Sequence, residues 1–139
     1  MFRMKIDFFT KADEINKTLM PAIYGIEIGR IDNDKTELIY IGQSFVPISR
    51  CGKHLNNIQY KKPNYLGFTD DILCDENLRI VFTIIENIPY EDFNTKKNGR
   101  EIELIKQLSP ALQNGISDRV YSDEKVRILK LKEAINKLN

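Results

Sequence analysis

Five side chains of this chain are of the types that act on phosphate groups. They are two tyrosines, an arginine, a histidine and a glutamate: Tyr24, Tyr40, Arg50, His54 and Glu101. An arginine guanidinium forms a planar fork that fits phosphate oxygens. A histidine can relay a proton near neutral pH, and a carboxylate oxygen is a ligand that Mg²⁺ accepts. These groups can act together only if the fold brings them to one place.

Two predicted strands carry the tyrosines. Apolar, β-branched runs at 22–28 and 37–41 flank a polar turn at 29–35. Such a pattern is typical of a β-hairpin. Tyr24 would lie on its first strand and Tyr40 on its second.

A predicted helix carries the arginine and the histidine. Pro47 suits the first turn of a helix. Apolar side chains then recur at intervals of three and four, which indicates an amphipathic helix: Ile48, Cys51, Leu55 and Ile58. Arg50 and His54 are one turn apart on a different face. The segment that follows, 59–76, is predicted to be a long loop with a turn of helix.

Glu101 belongs to a second predicted helix. A third strand is predicted at 78–85, which is rich in β-branched residues. The helix then runs from about 100 to 108 and is closed by Pro110. A last helix follows the N-terminal signature at 122–124 and has an apolar stripe: Ile128, Leu131, Ile135 and Leu138.

These elements predict one domain of 139 residues. The predicted fold class is α+β, a small antiparallel three-stranded sheet flanked by helices. The predicted parts are an N-terminal arm at 1–21, a core at 22–114 and a C-terminal helical extension at 115–139. The arm would hold a short helix near Asp13 and Glu14, since acidic residues are favourable in a first turn.

The order and spacing of these residues resemble the GIY-YIG nuclease family. The residues that carry the resemblance are Tyr24, Tyr40, Gly42, Arg50, His54, Glu101 and Pro110. The resemblance implies a compact α+β core at 22–114. It also implies an endonuclease that hydrolyses DNA phosphodiester bonds with one divalent ion, Mg²⁺ or Mn²⁺, in a restriction, mobile-element or repair setting.

The resemblance also implies a role for each group. Glu101 would bind the metal ion, and Arg50 would neutralise charge that develops on the phosphate. Tyr24 would be the general base and Tyr40 would assist it. His54 would hydrogen-bond the phosphate or relay a proton.

Glu103 is the alternative metal ligand. The family helix has an apolar pair and a proline at set distances after its glutamate, and here these fit only if Glu101 is the start. Glu103 is two positions further on and so points to another side of the helix. Glu103 is expected to be a solvated charge on the protein surface.

Substrate contacts are expected from Gly42, Gln43 and Lys53, and from an amide near the end of the core. Gly42 would let the backbone or the substrate approach closely. The chain departs from the family pattern at Gln43, where many members have lysine. It also has Gln113 at the offset of the family asparagine and Asn114 just after it, so either amide could orient the site.

Composition sets wider limits. The net charge is +1, but no acidic residue occurs at 43–69, where Arg50 and Lys53 lie, so a basic surface beside the site could attract DNA. With two cysteines, no paired metal spacing and a single histidine, a structural zinc site is not expected. The sequence contains no apolar run long enough for a membrane span or a signal peptide. The expected location is the cytoplasm.

Two other interpretations stay open. The chain could be a catalytically inactive DNA-binding or interaction module that keeps the nuclease fold. It could also be an unrelated α+β protein whose tyrosines only fill the core. The last helix could build a homodimer or pack against its own core.

Overall fold

The computed structural model describes residues 2–11, 13–115 and 119–139. It is an α+β fold with a four-stranded mixed sheet of order β1-β4-β2-β3. The strands and helices, in chain order, are β1 Lys5–Phe8, α1 Glu14–Lys17, β2 Ala22–Arg30, β3 Thr36–Ser44, α2 Pro47–Asn56, α3 Asp70–Leu73, β4 Leu78–Asn87, α4 Tyr90–Leu108 and α5 Glu124–Asn136.

The predicted sheet lacked one strand. The hairpin of β2 and β3 and the third strand, β4, are where the sequence placed them, and β4 pairs antiparallel with β2. The N-terminal arm adds β1, which pairs in parallel with β4 from Lys5 opposite Arg79 to Phe8 opposite Phe82. The sheet is therefore mixed. A four-residue strand shows too little alternation to be recognised locally, and its partner lies more than seventy positions away.

The helices also differ in extent from the prediction. α4 begins at Tyr90, directly after Pro89, and runs through Asn98 and Gly99, which were expected to precede it. Burial of Phe93 in its first half outweighs the low helix propensity of glycine. A π-helical turn at Asn57–Lys61 leads into the predicted loop at 59–76, which contains a 3₁₀ turn at Tyr65–Gly67 and α3.

Helices cover both faces of the sheet. α4 packs on one face, where Phe93, Leu104 and Ile105 join the apolar side chains of Ile23 and Ile41. α2 and α5 pack on the other face. The apolar side of α5 is used there: its buried residues are Leu131 and Ala134, and Leu138, just beyond its end, is buried as well.

A β-bulge decides which face Tyr40 occupies. Ile26 pairs with Tyr40, but the next residue of β2, Glu27, pairs with Leu38, so β3 has one extra residue at this point. Strict alternation would put Tyr40 on the face of Leu38, which packs against the α4 side. The bulge instead puts Tyr40 on the opposite face with Tyr24. Bulges often re-aim side chains beside functional sites.

Within the described ranges, the helices are all too short or too polar to cross a membrane.

Candidate functional site

Four aromatic rings meet where β2 and β3 approach α2. The rings of Tyr24 and Tyr40 have centroids 6.2 Å apart, and that of His54 lies 5.2 Å from Tyr40. The ring of Tyr65, from the 3₁₀ turn after α2, lies 5.9 Å from His54. The hairpin and α2 thus bring together three of the predicted site residues, and a fourth ring joins them.

His54 bridges two phenols. Its Nε2 is 2.8 Å from the hydroxyl of Tyr24, and its Nδ1 is 2.8 Å from the hydroxyl of Tyr65. Both His54 and Tyr24 are 1% exposed. Both ring nitrogens of this buried imidazole therefore have partners, as buried polar groups require.

Gly42 makes room for Tyr24. The two residues are opposite each other in the β2–β3 ladder. A Cβ on Gly42 would overlap the hydroxyl and the ring end of Tyr24. The glycine therefore admits the phenol of Tyr24 over β3. The predicted role of Gly42 was a close approach of the backbone or the substrate, and here a side chain of the protein makes a close approach.

Burial shifts the acid–base properties of the cluster. It lowers the pKa of His54 to about 4, with a further lowering by the nearby charge of Arg50. Burial also raises the pKa of Tyr24 well above its ordinary value of 10, and Arg50 lowers it without reversing this effect. Near neutral pH, His54 is therefore a neutral imidazole and Tyr24 a neutral phenol.

Tyr40 lies between a cation and a carboxylate. Burial raises its pKa to about 12, the charge of Arg50 lowers it, and the charge of Glu101 raises it. Both charges are thus close enough to act on one phenol. Arg50 approaches from α2 on one face, whereas Glu101 comes from α4 on the other. Both charges act on Tyr40, which lies on β3, the end strand of the sheet.

Glu101 points inward from α4. It is 2% exposed. Its Oε1 accepts a long hydrogen bond of 3.4 Å from Nε2 of Gln43, which also donates to Asn98 Oδ1 at 2.7 Å. Glu103 is exposed and binds Arg100 at 2.9 Å. The two glutamates therefore have the inward and outward placements that the sequence predicted.

An open cleft of about 540 Å³ lies over the aromatic cluster. Its lining combines phenols, an imidazole and two guanidinium groups: Tyr40, Arg50, His54, Tyr65, Leu66, Arg119 and Val120. Sequence reasoning missed Tyr65 and Arg119. Tyr65 lies in the segment predicted as loop, and Arg119 lies beyond the predicted core, so neither spacing nor periodicity marked them.

The predicted amide does not line this cleft. Gln113 is buried, and its side chain pairs with the backbone of Ile41, donating to the carbonyl and accepting from the N–H at 2.9 Å each. Gln113 and Ala111 together cover the outer edge of β3, where the N–H of Ala111 donates to the carbonyl of Leu38 at 3.1 Å. Asn114 is exposed in a different pocket, beside α5. Lys53 is exposed on α2, outside the cleft lining.

The donor set beside Tyr40 fits one kind of metal ion. In the described parts of the chain, no three histidine, cysteine or acidic side chains group as a metal cage. Glu101 supplies a buried carboxylate whose charge acts on Tyr40. A single carboxylate fits Mg²⁺ or Mn²⁺ that keeps most of its water ligands, and does not fit a zinc ion with three or four protein ligands.

Comparisons of the chain with protein-family models, curated proteins and solved structures find no match.

Proposed function

We propose that this protein is a metal-dependent endonuclease of the GIY-YIG type that hydrolyses phosphodiester bonds of DNA. The observation that carries the proposal is the convergence of Tyr40, Arg50 and His54 in the lining of one open cleft. The buried carboxylate of Glu101, on the other face of the sheet, also acts on the charge of Tyr40. A cation and a carboxylate that flank one phenol can hold a phosphate and a metal ion together. Neither the cation nor the carboxylate alone would hold both.

Arg50 would bind a non-bridging oxygen of the scissile phosphate. Its fork can donate two hydrogen bonds, and its charge opposes the negative charge that grows during attack. Arg119 lines the same cleft and would bind a neighbouring phosphate. Tyr24 is held by His54 and faces Tyr40. Tyr40 would orient the attacking water.

Glu101 would hold Mg²⁺ or Mn²⁺. When bound, the ion polarises the phosphoryl oxygens and stabilises the leaving oxygen. Gln43 donates a long hydrogen bond to Glu101 and a shorter one to Asn98. In this role Gln43 orients the carboxylate, and no direct contact with DNA is needed.

Cleavage of supercoiled plasmid tests the proposal. With Mg²⁺ or Mn²⁺, the protein should produce nicked or linear DNA, and the Glu101→Ala variant should lose at least about 1000-fold in rate, of the order seen when one electrostatic catalytic group is removed. Glu103→Ala is the matched control, since it removes a carboxylate from the same helix, and it should cut like the parent protein. Equal cutting by the Glu101→Ala variant would refute the assignment.

A DNA-binding module without catalysis is the second candidate. It is favoured by Gln113, whose amide is fully engaged with the backbone of Ile41 and is therefore not free to orient a substrate. Salt-sensitive DNA binding that needs Arg50 and Arg119, with no turnover in Mg²⁺, Mn²⁺ or Ca²⁺, would select this candidate.

A further inference from the structure

A chain of hydrogen bonds leads from the buried phenol of Tyr24 to the cleft. It passes from the Tyr24 hydroxyl to His54 Nε2, and from His54 Nδ1 to the Tyr65 hydroxyl, with both separations 2.8 Å. Tyr24 is fully buried, whereas Tyr65 is half-buried and lines the cleft. The chain therefore connects a buried phenol with a surface open to water.

The chain has two internally consistent arrangements. In a neutral imidazole one nitrogen donates and the other accepts. Either Tyr24 donates to Nε2 while Nδ1 donates to Tyr65, or each bond runs the other way. Changing from the first arrangement to the second moves each proton by one hydrogen bond. One proton enters at Tyr24 and one leaves from Tyr65, so no charge remains in the buried cluster. This matters because an ion there would be costly.

Such a chain resolves a difficulty of the proposed reaction. Burial keeps Tyr24 protonated near neutral pH, so a phenolate is not ready to accept a proton from water. Tyr24 can still act as a base if it passes its own proton to His54 as it receives another. Arg50 and Tyr40 face the same imidazole, but neither accepts a proton from it: Arg50 is a permanent cation, and Tyr40 meets the ring edge-on.

The turn that holds Tyr65 is strained and clamped. Asn64 and Leu66, on either side of Tyr65, have φ angles of 57° and 54°. Leucine rarely adopts this left-handed region, and such strain persists where the surroundings enforce it, often at functional sites. α5 supplies the clamp through Glu124, which accepts a hydrogen bond of 2.5 Å from Asn64.

A second contact with α5 completes the clamp. Gly67, with φ 83°, lies against the backbone carbonyl of Arg127, and a Cβ there would come within 2.7 Å of that oxygen. Only glycine fits both the angle and the space. α5 therefore fixes the turn that presents Tyr65 to His54.

We infer that Tyr65 is the outlet of a proton relay, in which Tyr24, His54 and Tyr65 carry a proton from the attacking water to the cleft. The inference rests on the proposed nuclease function. Tyr65 acts through His54 and is therefore a positioning residue, which also fixes the tautomer of the imidazole.

The relay balances the reaction as follows. The water oxygen bonds to phosphorus, and a water proton passes to the Tyr24 oxygen. The Tyr24 proton passes to Nε2, the Nδ1 proton to Tyr65, and the Tyr65 proton to water in the cleft. The bond from phosphorus to the leaving oxygen breaks, and that oxygen takes a proton from solvent. No side chain ends with a changed charge.

Nitrogen NMR tests the relay without DNA or metal. The chain has a single histidine, so ¹⁵N-histidine labelling gives the signals of His54 alone. The spectrum should be that of a neutral imidazole at pH 6, and Tyr65→Phe should change the Nδ1 signal and the tautomer balance. Tyr60→Phe is the control, because Tyr60 is 77% exposed in the preceding turn. An unchanged spectrum in the Tyr65→Phe variant, or a protonated His54 at pH 6, would overturn the inference whatever the protein does to DNA.

Kinetics test its catalytic consequence. Under single-turnover conditions with saturating DNA, Tyr65→Phe should cut about 10- to 100-fold more slowly, with DNA affinity unchanged, as expected for a weakened acid–base step. In mixtures of H₂O and D₂O, the cleavage rate of the parent protein should depend on the deuterium fraction in the way expected when several protons move in one step. Cutting by Tyr65→Phe at the rate of Tyr60→Phe would also overturn the relay. If the parent protein fails to cut at all, the proposed function fails, and the NMR result still decides whether the hydrogen-bond chain exists.

Discussion

Two buried glutamates lie against the same sheet, and their surroundings differ. Glu14, from α1, is 5% exposed, and its Oε1 accepts hydrogen bonds of 2.5 Å from the Thr83 hydroxyl and from the Ile84 N–H. Glu101, from α4, accepts a long hydrogen bond from Gln43, and its charge acts on Tyr40, which lines an open cleft. Glu14 completes the hydrogen bonding of β4 just beyond the point where β1 ends, whereas Glu101 acts on a phenol that solvent can reach through the cleft. A buried carboxylate alone therefore does not indicate a catalytic site.

The largest effect on folding should come from Glu14. In the Glu14→Ala variant, the buried hydroxyl of Thr83 and the N–H of Ile84 lose their acceptor. Each unsatisfied donor costs about 1–3 kcal/mol, so the free energy of unfolding should fall by about 3 kcal/mol. Urea denaturation measures this change. DNA cleavage per folded molecule should stay unchanged, and a selective loss of cleavage would show that the two regions are not separate.

Acid should destabilise the protein through His54. Its pKa is about 4 in the folded state, below the ordinary value of 6.5, because burial and Arg50 disfavour the imidazolium. The unfolded chain therefore binds a proton first as the pH falls. The contribution of His54 is complete above pH 6.5 and is lost as the pH falls towards 4, by about 2 kcal/mol between pH 7 and pH 5.

Urea denaturation at a series of pH values, compared with His54→Gln, isolates this contribution. The variant should lack the fall between pH 7 and pH 5, where most carboxylates stay ionised. If the free energy of unfolding falls equally steeply in both proteins, the titrating group is not His54. That result would weaken the case for a neutral imidazole with hydrogen bonds at both ring nitrogens.

A pair of glycines tests the packing of the aromatic cluster. In Gly42→Ala the new methyl group must displace the phenol of Tyr24, which should lower the free energy of unfolding by about 1–3 kcal/mol and weaken the bond from Tyr24 to His54. Gly52→Ala, in α2, meets no atom within 4 Å and should gain up to about 1 kcal/mol from helix propensity. Thermal denaturation of both variants should show opposite shifts, and equal shifts would contradict the contact between Gly42 and Tyr24.

The sequence predicted the parts of this site that depend on local pattern. The hairpin and α2 followed from the pattern of apolar residues, and these place Tyr24, Arg50 and His54. The inward placement of Glu101 followed from the resemblance and not from periodicity. Three features depend on contacts distant in sequence and could not be read locally. They are the pairing of β1 with β4, the bulge that turns Tyr40 to the face of Tyr24, and the clamp of α5 on the turn that carries Tyr65.

Gln113 shows the same limit for a single side chain. Its offset from Pro110 predicted an amide that orients a substrate, but the offset carries no information on the edge of β3. There the backbone of Ile41 needs both a donor and an acceptor, and the Gln113 amide supplies both. A spacing pattern can thus identify which residue lies near a site without identifying the partner that the residue takes.

The smallest effect on folding should come from Glu101, although its loss should have the largest effect on cleavage. In Glu101→Ala, Gln43 loses a hydrogen bond of 3.4 Å, which is long and therefore weak, and keeps its shorter bond to Asn98. α4 also keeps the packing of Leu104 and Ile105 on the sheet. The free energy of unfolding should therefore fall by less than in Glu14→Ala, because a catalytic charge is commonly kept at a cost to stability. Urea denaturation beside Glu14→Ala measures the contrast directly. A loss as large as that of Glu14→Ala would make Glu101 a structural residue, and a loss of cleavage in that variant would then say nothing about chemistry.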